Sequence, residues 1–188
     1  MKGYDYSSDG AYFVTICARE REALLGEVVD GVMLSNDVGR LVDEIWHGLP
    51  RHFPNMELNE WVVMPNHVHG IIWIASRPEK AIHGDVGARF SRPEQDANGG
   101  ARSSEKGGRT PPLRRTLGQA VAYFKHQSTK AINVAWDDPN PAIPVWQRNY
   151  YERIIRNDEE LDRIRQYIRD HPKNWDQDPE NLSAGERA

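Results

Sequence analysis

At 188 residues, 38% of them hydrophobic and 28% charged, the chain is long enough for one domain with a real core and too short for two ordinary ones. No apolar run approaches the roughly 20 residues that span a bilayer, and the opening MKGYDYSSDG lacks the apolar stretch of a secretory signal, so the expected setting is the cytoplasm with no membrane partner. The net charge of -4 argues mildly against a polyanionic partner, yet residues 77–130 carry 11 Lys and Arg against 5 Asp and Glu while residues 1–76 carry 5 against 11, a basic middle that suits either a nucleic-acid backbone or a solvated linker.

In chain order, AYFVTICA (11–18) reads as a β-strand bounded by SSDG. Its Cys17 has no partner for an internal disulfide and reads as packing rather than chemistry. EVVDGVMLS (27–35) sets Asp30-Gly31 between two short apolar runs, a hairpin signal. SNDVGRLVDEIWHGLP places Val38, Leu41, Val42, Ile45, Trp46 and Leu49 at helical spacing, with Ser35 or Asn36 to cap the helix and Gly48 and Pro50 to stop it. MELNEWVVM and HVHGIIWIA flank Pro65-Asn66, which predicts two antiparallel strands joined by a tight turn.

From Ser76 to about Pro112 the sequence becomes rich in Gly, Pro, Arg and Ser without an apolar period, so a flexible basic loop is expected at about 77–112. A second helix follows, capped by Thr116, with Leu117, Ala120, Val121, Phe124 and Ala131 along one face and Lys125 and Lys130 exposed. The prolines of WDDPNPAIPVW argue against regular structure. A third helix starts at Asn157, which with Glu160 resembles a capping box, carries the stripe Leu161, Ile164 and Ile168, and ends at Pro172. The polar tail at 176–188 is expected to be disordered. An antiparallel sheet with helices packed on it, an α+β domain, buries these faces economically.

The sheet gives the histidines of HVHG a meaning. Side chains alternate along a strand, so His67 and His69 point the same way, about 7 Å apart along the repeat, and together make half of a divalent-metal site. Read as packing, they are two strand histidines satisfied by backbone or water. On the last helix Tyr167 and His171 are four residues apart and share a face. A phenol with a pKa near 10 is a poor nucleophile until a neighbouring cation favours the phenolate. A metal on His67, His69 and His171 would supply that charge beside Tyr167; the plainer reading is a tyrosine at the edge of the core.

MPNHVHGIIWI, followed by WQRNYYERIIRNDEELDRIRQYIRDHPKNW, resembles the REP-associated tyrosine transposases, a branch of the single-tyrosine HUH endonucleases, over most of the chain from Tyr12 to Trp175. The resemblance implies a ferredoxin-like antiparallel sheet with packed helices, one domain over 1–175 interrupted by the basic loop. It implies nicking and rejoining of single-stranded or hairpin DNA near palindromes, with Mg²⁺ or Mn²⁺ as cofactor, by a monomer or homodimer. His67 and His69 match its metal-binding pair. Tyr167 matches the nucleophile that becomes joined to the 5′ phosphate. The third ligand, four residues after the tyrosine, is usually Asn or Gln; here it is His171.

Arg114, Arg115, Lys125, Lys130, Arg148, Arg153 and Arg156 are candidate phosphate contacts. Trp46 and Trp61 read as core, and Trp146 is a candidate for stacking on an unpaired base. Tyr150 and Tyr151 lack a ligand-type residue four positions on, which leaves packing or DNA stacking. Two other readings stay open. One is a hairpin-binding module without nuclease activity, against which the intact His67, His69 and Tyr167 speak. The other is a small metal-dependent hydrolase using water, which needs a carboxylate near the histidine pair that the strand HVHGIIWIA does not supply.

Overall fold

Strand β1 (Gly10–Cys17) forms the inside of a four-stranded antiparallel sheet, with β5 (His67–Ile74) on one side and β6 (Tyr151–Ile155) on the other, and β4 (Met56–Met64) pairs with the far edge of β5. The structure is a computed structural model that describes residues 9–75, 116–137 and 144–181. The expected basic loop, with Arg114 and Arg115, lies outside these residues.

Between β1 and β4 come the hairpin β2 (Gly26–Val29) and β3 (Val32–Ser35), then helix α1 (Asp37–His47) and the single turn α2 (Leu49–His52). The hairpin turns on Asp30 and Gly31 with φ of 51° and 73°, the doubly left-handed pair that matches strand twist and favours glycine at its second position. Asn36 caps α1 by accepting the Gly39 N–H. Helix α3 (Leu117–Ala135) carries a full capping box from Thr116 and Gln119, and helix α4 (Asp158–Asp170) starts at Asn157, whose Oδ1 accepts the Glu160 N–H. The Glu160 carboxylate reaches back to the N–H of Arg156, one residue before the cap.

Setting the small hairpin and the single turn α2 aside, the elements from β1 to β6 run β-α-β-β-α-β, followed by α4, with sheet order β4-β5-β1-β6. Each crossover skips one strand, which is the split βαβ topology of the ferredoxin-like folds. One sheet face, with Tyr12, Val14, Ile16, Val68 and Ile72, packs under α1 and α3 around Trp46 and Phe124. The opposite face, with Ala11, Phe13, Ile71 and Trp73, packs under Leu161 and Ile168 of α4.

Two expectations are corrected. The stretch between the second and third predicted helices, expected to be loop, contains the edge strand β6, paired with β1 from Ala11↔Ile155 to Thr15↔Tyr151; its five residues include Glu152 and Arg153, so no apolar alternation announced it. The described part of the tail, 176–181, is packed on the domain: a 3-10 segment, Pro172–Gln177, turns the chain so that Trp175 and Asn181 are buried and Asn66 donates to the Glu180 carbonyl at 2.7 Å.

Candidate active site

Alternation along β5 turns Val68 into the core under α1, while His67 and His69 emerge on the face covered by α4. Their rings lie 4.4 Å apart between centroids, and both side chains are buried. The register sets Cys17 and Met64 beside His67, and Thr15 and Val62 beside His69.

The outer nitrogens are held by the protein. Asn66 Nδ2 donates to the carbonyls of Arg21 (3.1 Å) and Glu180 (2.7 Å), which fixes the amide so that its Oδ1 faces His67 Nδ1 at 2.8 Å. An amide oxygen only accepts, so Nδ1 carries the proton and His67 Nε2 is a bare lone pair. Thr15 Oγ1 sits 2.9 Å from His69 Nδ1, and His69 Nε2 turns inward. Such outer partners orient imidazole ligands at metal sites.

The inner nitrogens converge with α4. His67 Nε2 lies 3.0 Å from His171 Nε2, which is 2.6 Å from the Asp178 carboxylate, and Tyr167 Oη lies 3.3 Å from His69 Nε2. One ligand atom from each of His67, His69, His171 and Asp178 falls within 4.8 Å of the others. The His67 lone pair and the Asp178 carboxylate both face His171 Nε2, and acceptor atoms gathered in a buried place call for a proton or a metal cation among them, so the donor set fits a divalent ion.

Electrostatics keep the histidines neutral and ready to ligate. Burial, with His171 adjacent, pushes His67 down to about 3. His69 is held well below the ordinary imidazole range by burial and then by His67 and His171. Burial lowers His171 too, with Asp178 acting against it. Tyr167 is pushed up to about 12 by partial burial and by Asp178 and Glu180, so without added positive charge it is a phenol. Its ring stands edge-on to Phe13, 6.1 Å between centroids, and is 47% exposed, open to a substrate.

The structure therefore brings together Tyr167, His67, His69 and His171, and adds Asp178, which the sequence reading missed. Six residues, the 3-10 segment Pro172–Gln177, separate Asp178 from His171, and no local spacing joins them. Its presence also corrects the argument against a water-using hydrolase, because a carboxylate does stand beside the histidine pair. His171, although it stands at the helix end just before Pro172, is 3% exposed and packs against His69 and Tyr167.

The remaining candidates divide. Lys125, expected to be exposed, instead donates to the carbonyls of Gln147 and Asn149, each at 2.8 Å, and burial lowers its pKa; its charge is used inside the protein. Trp146 is core and not a stacking platform: it packs on Phe124 and its Nε1 donates to Ser128. Trp46 is core as expected, whereas Trp61 is half-buried with its Nε1 on Asp43. Lys130, Arg148 and Arg156 are exposed. Arg153 pairs with Glu160 and lines a cavity of about 570 Å³ beside Tyr167. Cys17 lies at the same cavity near Glu180, and burial pushes its thiol up to about 11, which leaves it inert as a nucleophile.

No family model matches the chain. Over 179 residues, 95% of this chain and 88% of its relative, it is 35% identical to an uncharacterized protein of Haemophilus influenzae. Among solved structures, one of a REP-associated tyrosine transposase bound to a REP hairpin matches with a TM-score of 0.54 over 95% of this chain and 81% of that one, at 20% identity. With the β-α-β-β-α-β order and the α4-covered histidine pair already in place, the chain belongs to one family with the Haemophilus influenzae protein and has the fold of the REP-associated tyrosine transposases.

Proposed function

We propose that the protein is a metal-dependent transposase that nicks and rejoins single-stranded DNA near hairpin palindromes through a 5′-phosphotyrosine intermediate. The observation that carries this reading is the placement of Tyr167 Oη 3.3 Å from His69 Nε2, at the edge of a His-His-His-Asp cluster. The HVH and YIRDH motifs support it, as does the hairpin bound by the protein that shares this fold.

His67, His69 and His171, with Asp178 beside them, are the residues that would hold Mg²⁺ or Mn²⁺, and three imidazoles favour Mn²⁺ of the two. When bound, such a cation supplies the positive charge that draws in a phosphate and favours the phenolate over the phenol. Asn66 and Thr15 hold the imidazoles so that their Nε2 atoms stay turned inward. Tyr167 Oη attacks the phosphorus and loses its proton; the bond from phosphorus to the 3′ oxygen breaks, and that oxygen leaves and takes up a proton. The 5′ phosphate stays joined to Tyr167, so the reverse step rejoins the strand without an external energy source. Histidine pair and tyrosine come from one chain, so a monomer suffices for this chemistry.

The test is to incubate the protein with labelled, hairpin-containing single strands and Mn²⁺, and to look for a covalent adduct on a denaturing gel. An adduct in the wild type that Tyr167→Phe lacks is the expected result. An adduct that persists in Tyr167→Phe and disappears in Tyr150→Phe or Tyr151→Phe removes the assignment. Asp178 favours a second reading, hydrolysis by water, in which Tyr167→Phe still cleaves in an EDTA-sensitive way and no adduct forms.

A further inference from the structure

We propose that the cavity beside Tyr167 is a nucleobase subsite, in which Tyr151 stacks on a base of the single-stranded DNA and the side-chain amides of Gln147 and Asn149 meet the polar edge of that base. The inference rests on the reading of the substrate as DNA, and deepens it from the scissile phosphate to its neighbour.

The cavity opens from the candidate active site, since Thr15, His69 and Tyr167 belong to its wall. Phosphoryl transfer uses none of Tyr151, Gln147 or Asn149, yet all three line the same space. Tyr151 stands opposite Thr15 in the register, hence on the face that carries His69, and its ring meets Phe13 edge-on at 6.4 Å. It is 57% exposed, an aromatic surface presented to the cavity next to the nucleophile. Phe13 thus touches both tyrosines, one on the chemistry side and one on the far side.

Charge argues for a base rather than a second phosphate. The cations on the cavity wall, Arg21 and Arg153, are paired with Glu180 and Glu160. Asp178 and Glu180 lie on that wall too and repel an anion. What remains is aromatic surface and two primary amides, each offering a donor and an acceptor, which is the complement of a base edge. The segment bearing the amides is held in place: Lys125 grips the carbonyls of Gln147 and Asn149, and the Gln147 N–H donates to the Cys17 carbonyl at 2.9 Å. Lys125 is a positioning residue in this account, and a prearranged segment avoids an ordering cost on binding.

The experiment uses the full chain in EDTA, so that binding is measured without cleavage, and DNA hairpins with a single-stranded flank of dT, dA, dC or abasic residues on either side, followed by fluorescence anisotropy. Tyr151→Ala is expected to weaken binding of the base-bearing flanks by about 5- to 100-fold, the range of one lost base stack, and to leave the abasic flank unchanged. Tyr151→Phe keeps the wild-type values. Gln147→Ala and Asn149→Ala change the ranking among bases. A Tyr151→Ala protein that loses affinity for base-bearing and abasic flanks alike, or for neither, overturns the subsite. An adduct on Tyr167 with no base dependence at Tyr151 removes the subsite alone. Base-dependent binding without any adduct removes the nicking reaction alone, and absence of binding to every hairpin removes both.

Discussion

The two faces of β5 are buried to the same degree and hold opposite kinds of chemistry. All eight residues of the strand are buried. Towards α1 and α3 it shows Val68, Gly70 and Ile72, and the indole of Trp46 fills the space that a Gly70 side chain would take, a Cβ there coming within 2.3 Å of the ring. Towards α4 it shows His67 and His69 next to Ile71 and Trp73. Burial alone does not tell core from site. The difference lies in polar satisfaction: hydrocarbon asks for nothing, whereas each imidazole has an outer nitrogen fixed by Asn66 or Thr15 and an inner one turned towards His171 or the Tyr167 hydroxyl.

The sharpest way to test this contrast is to change one atom group on each face. Tyr167→Phe removes a half-exposed hydroxyl and is expected to abolish the covalent adduct while DNA binding and the melting temperature stay near wild type. His67→Ala or His69→Ala, or EDTA on the wild type, should abolish cleavage; full cleavage in EDTA sinks the metal reading. Gly70→Ala is the mirror experiment. A methyl pressed into Trp46 costs about 1–3 kcal/mol by overpacking, read as a lowered melting temperature, with adduct formation retained in the folded fraction. A Gly70→Ala protein that melts normally but cannot form the adduct would show that the faces are not separable.

Acid separates the faces in another way. In metal-free protein the neutral histidines bind protons in the unfolded chain near pH 6.5 but His67 does so in the folded chain only near 3. Between those values the unfolded state holds more protons, so stability falls with falling pH. It is fully present above about 6.5 and is lost progressively towards 3. Melts in EDTA across that window should show the slope, and His67→Ala should make it shallower; an unchanged slope would mean that other groups set the acid sensitivity. Asp178→Asn tests the residue that joins the cluster from the tail. Removing its charge should weaken Mn²⁺ binding by about 10- to 100-fold, the range for partners of imidazole ligands, as measured by calorimetry; unchanged affinity would place Asp178 outside the site.

How far the sequence reaches follows from range. His67 and His69 were legible because strand alternation is a two-residue rule, and Tyr167 with His171 because a helix repeats every three to four residues. The long helices announced themselves through caps at Asn36, Thr116 and Asn157. What stayed hidden depends on chain folding back on itself: Asp178 swinging under His171, Lys125 reaching carbonyls more than twenty positions on, and Trp146 entering the core through Ser128. Strand β6 was hidden for a local reason, since an edge strand reading YERII has charged residues where alternation would need apolar ones.

His171 carries the smallest expected effect, and its burial changes what to expect. As an exposed helix-end residue its removal would cost no stability; at 3% exposure against His67 and Asp178, His171→Ala should lower the melting temperature in EDTA by a few degrees and also weaken Mn²⁺ binding. His171→Asn keeps a ligand atom at a similar reach. An amide oxygen is a harder donor than imidazole, so this variant should keep nicking and move its preference a few-fold from Mn²⁺ towards Mg²⁺. Titrating nicking against each metal for the wild type and both variants, with melts in EDTA and in Mn²⁺, separates ligation from packing. Ligation requires that Mn²⁺ stabilise the wild type more than His171→Ala, because only binding to the folded state raises stability. If Mn²⁺ raises all three melting temperatures equally, His171 serves packing and the metal is held without it.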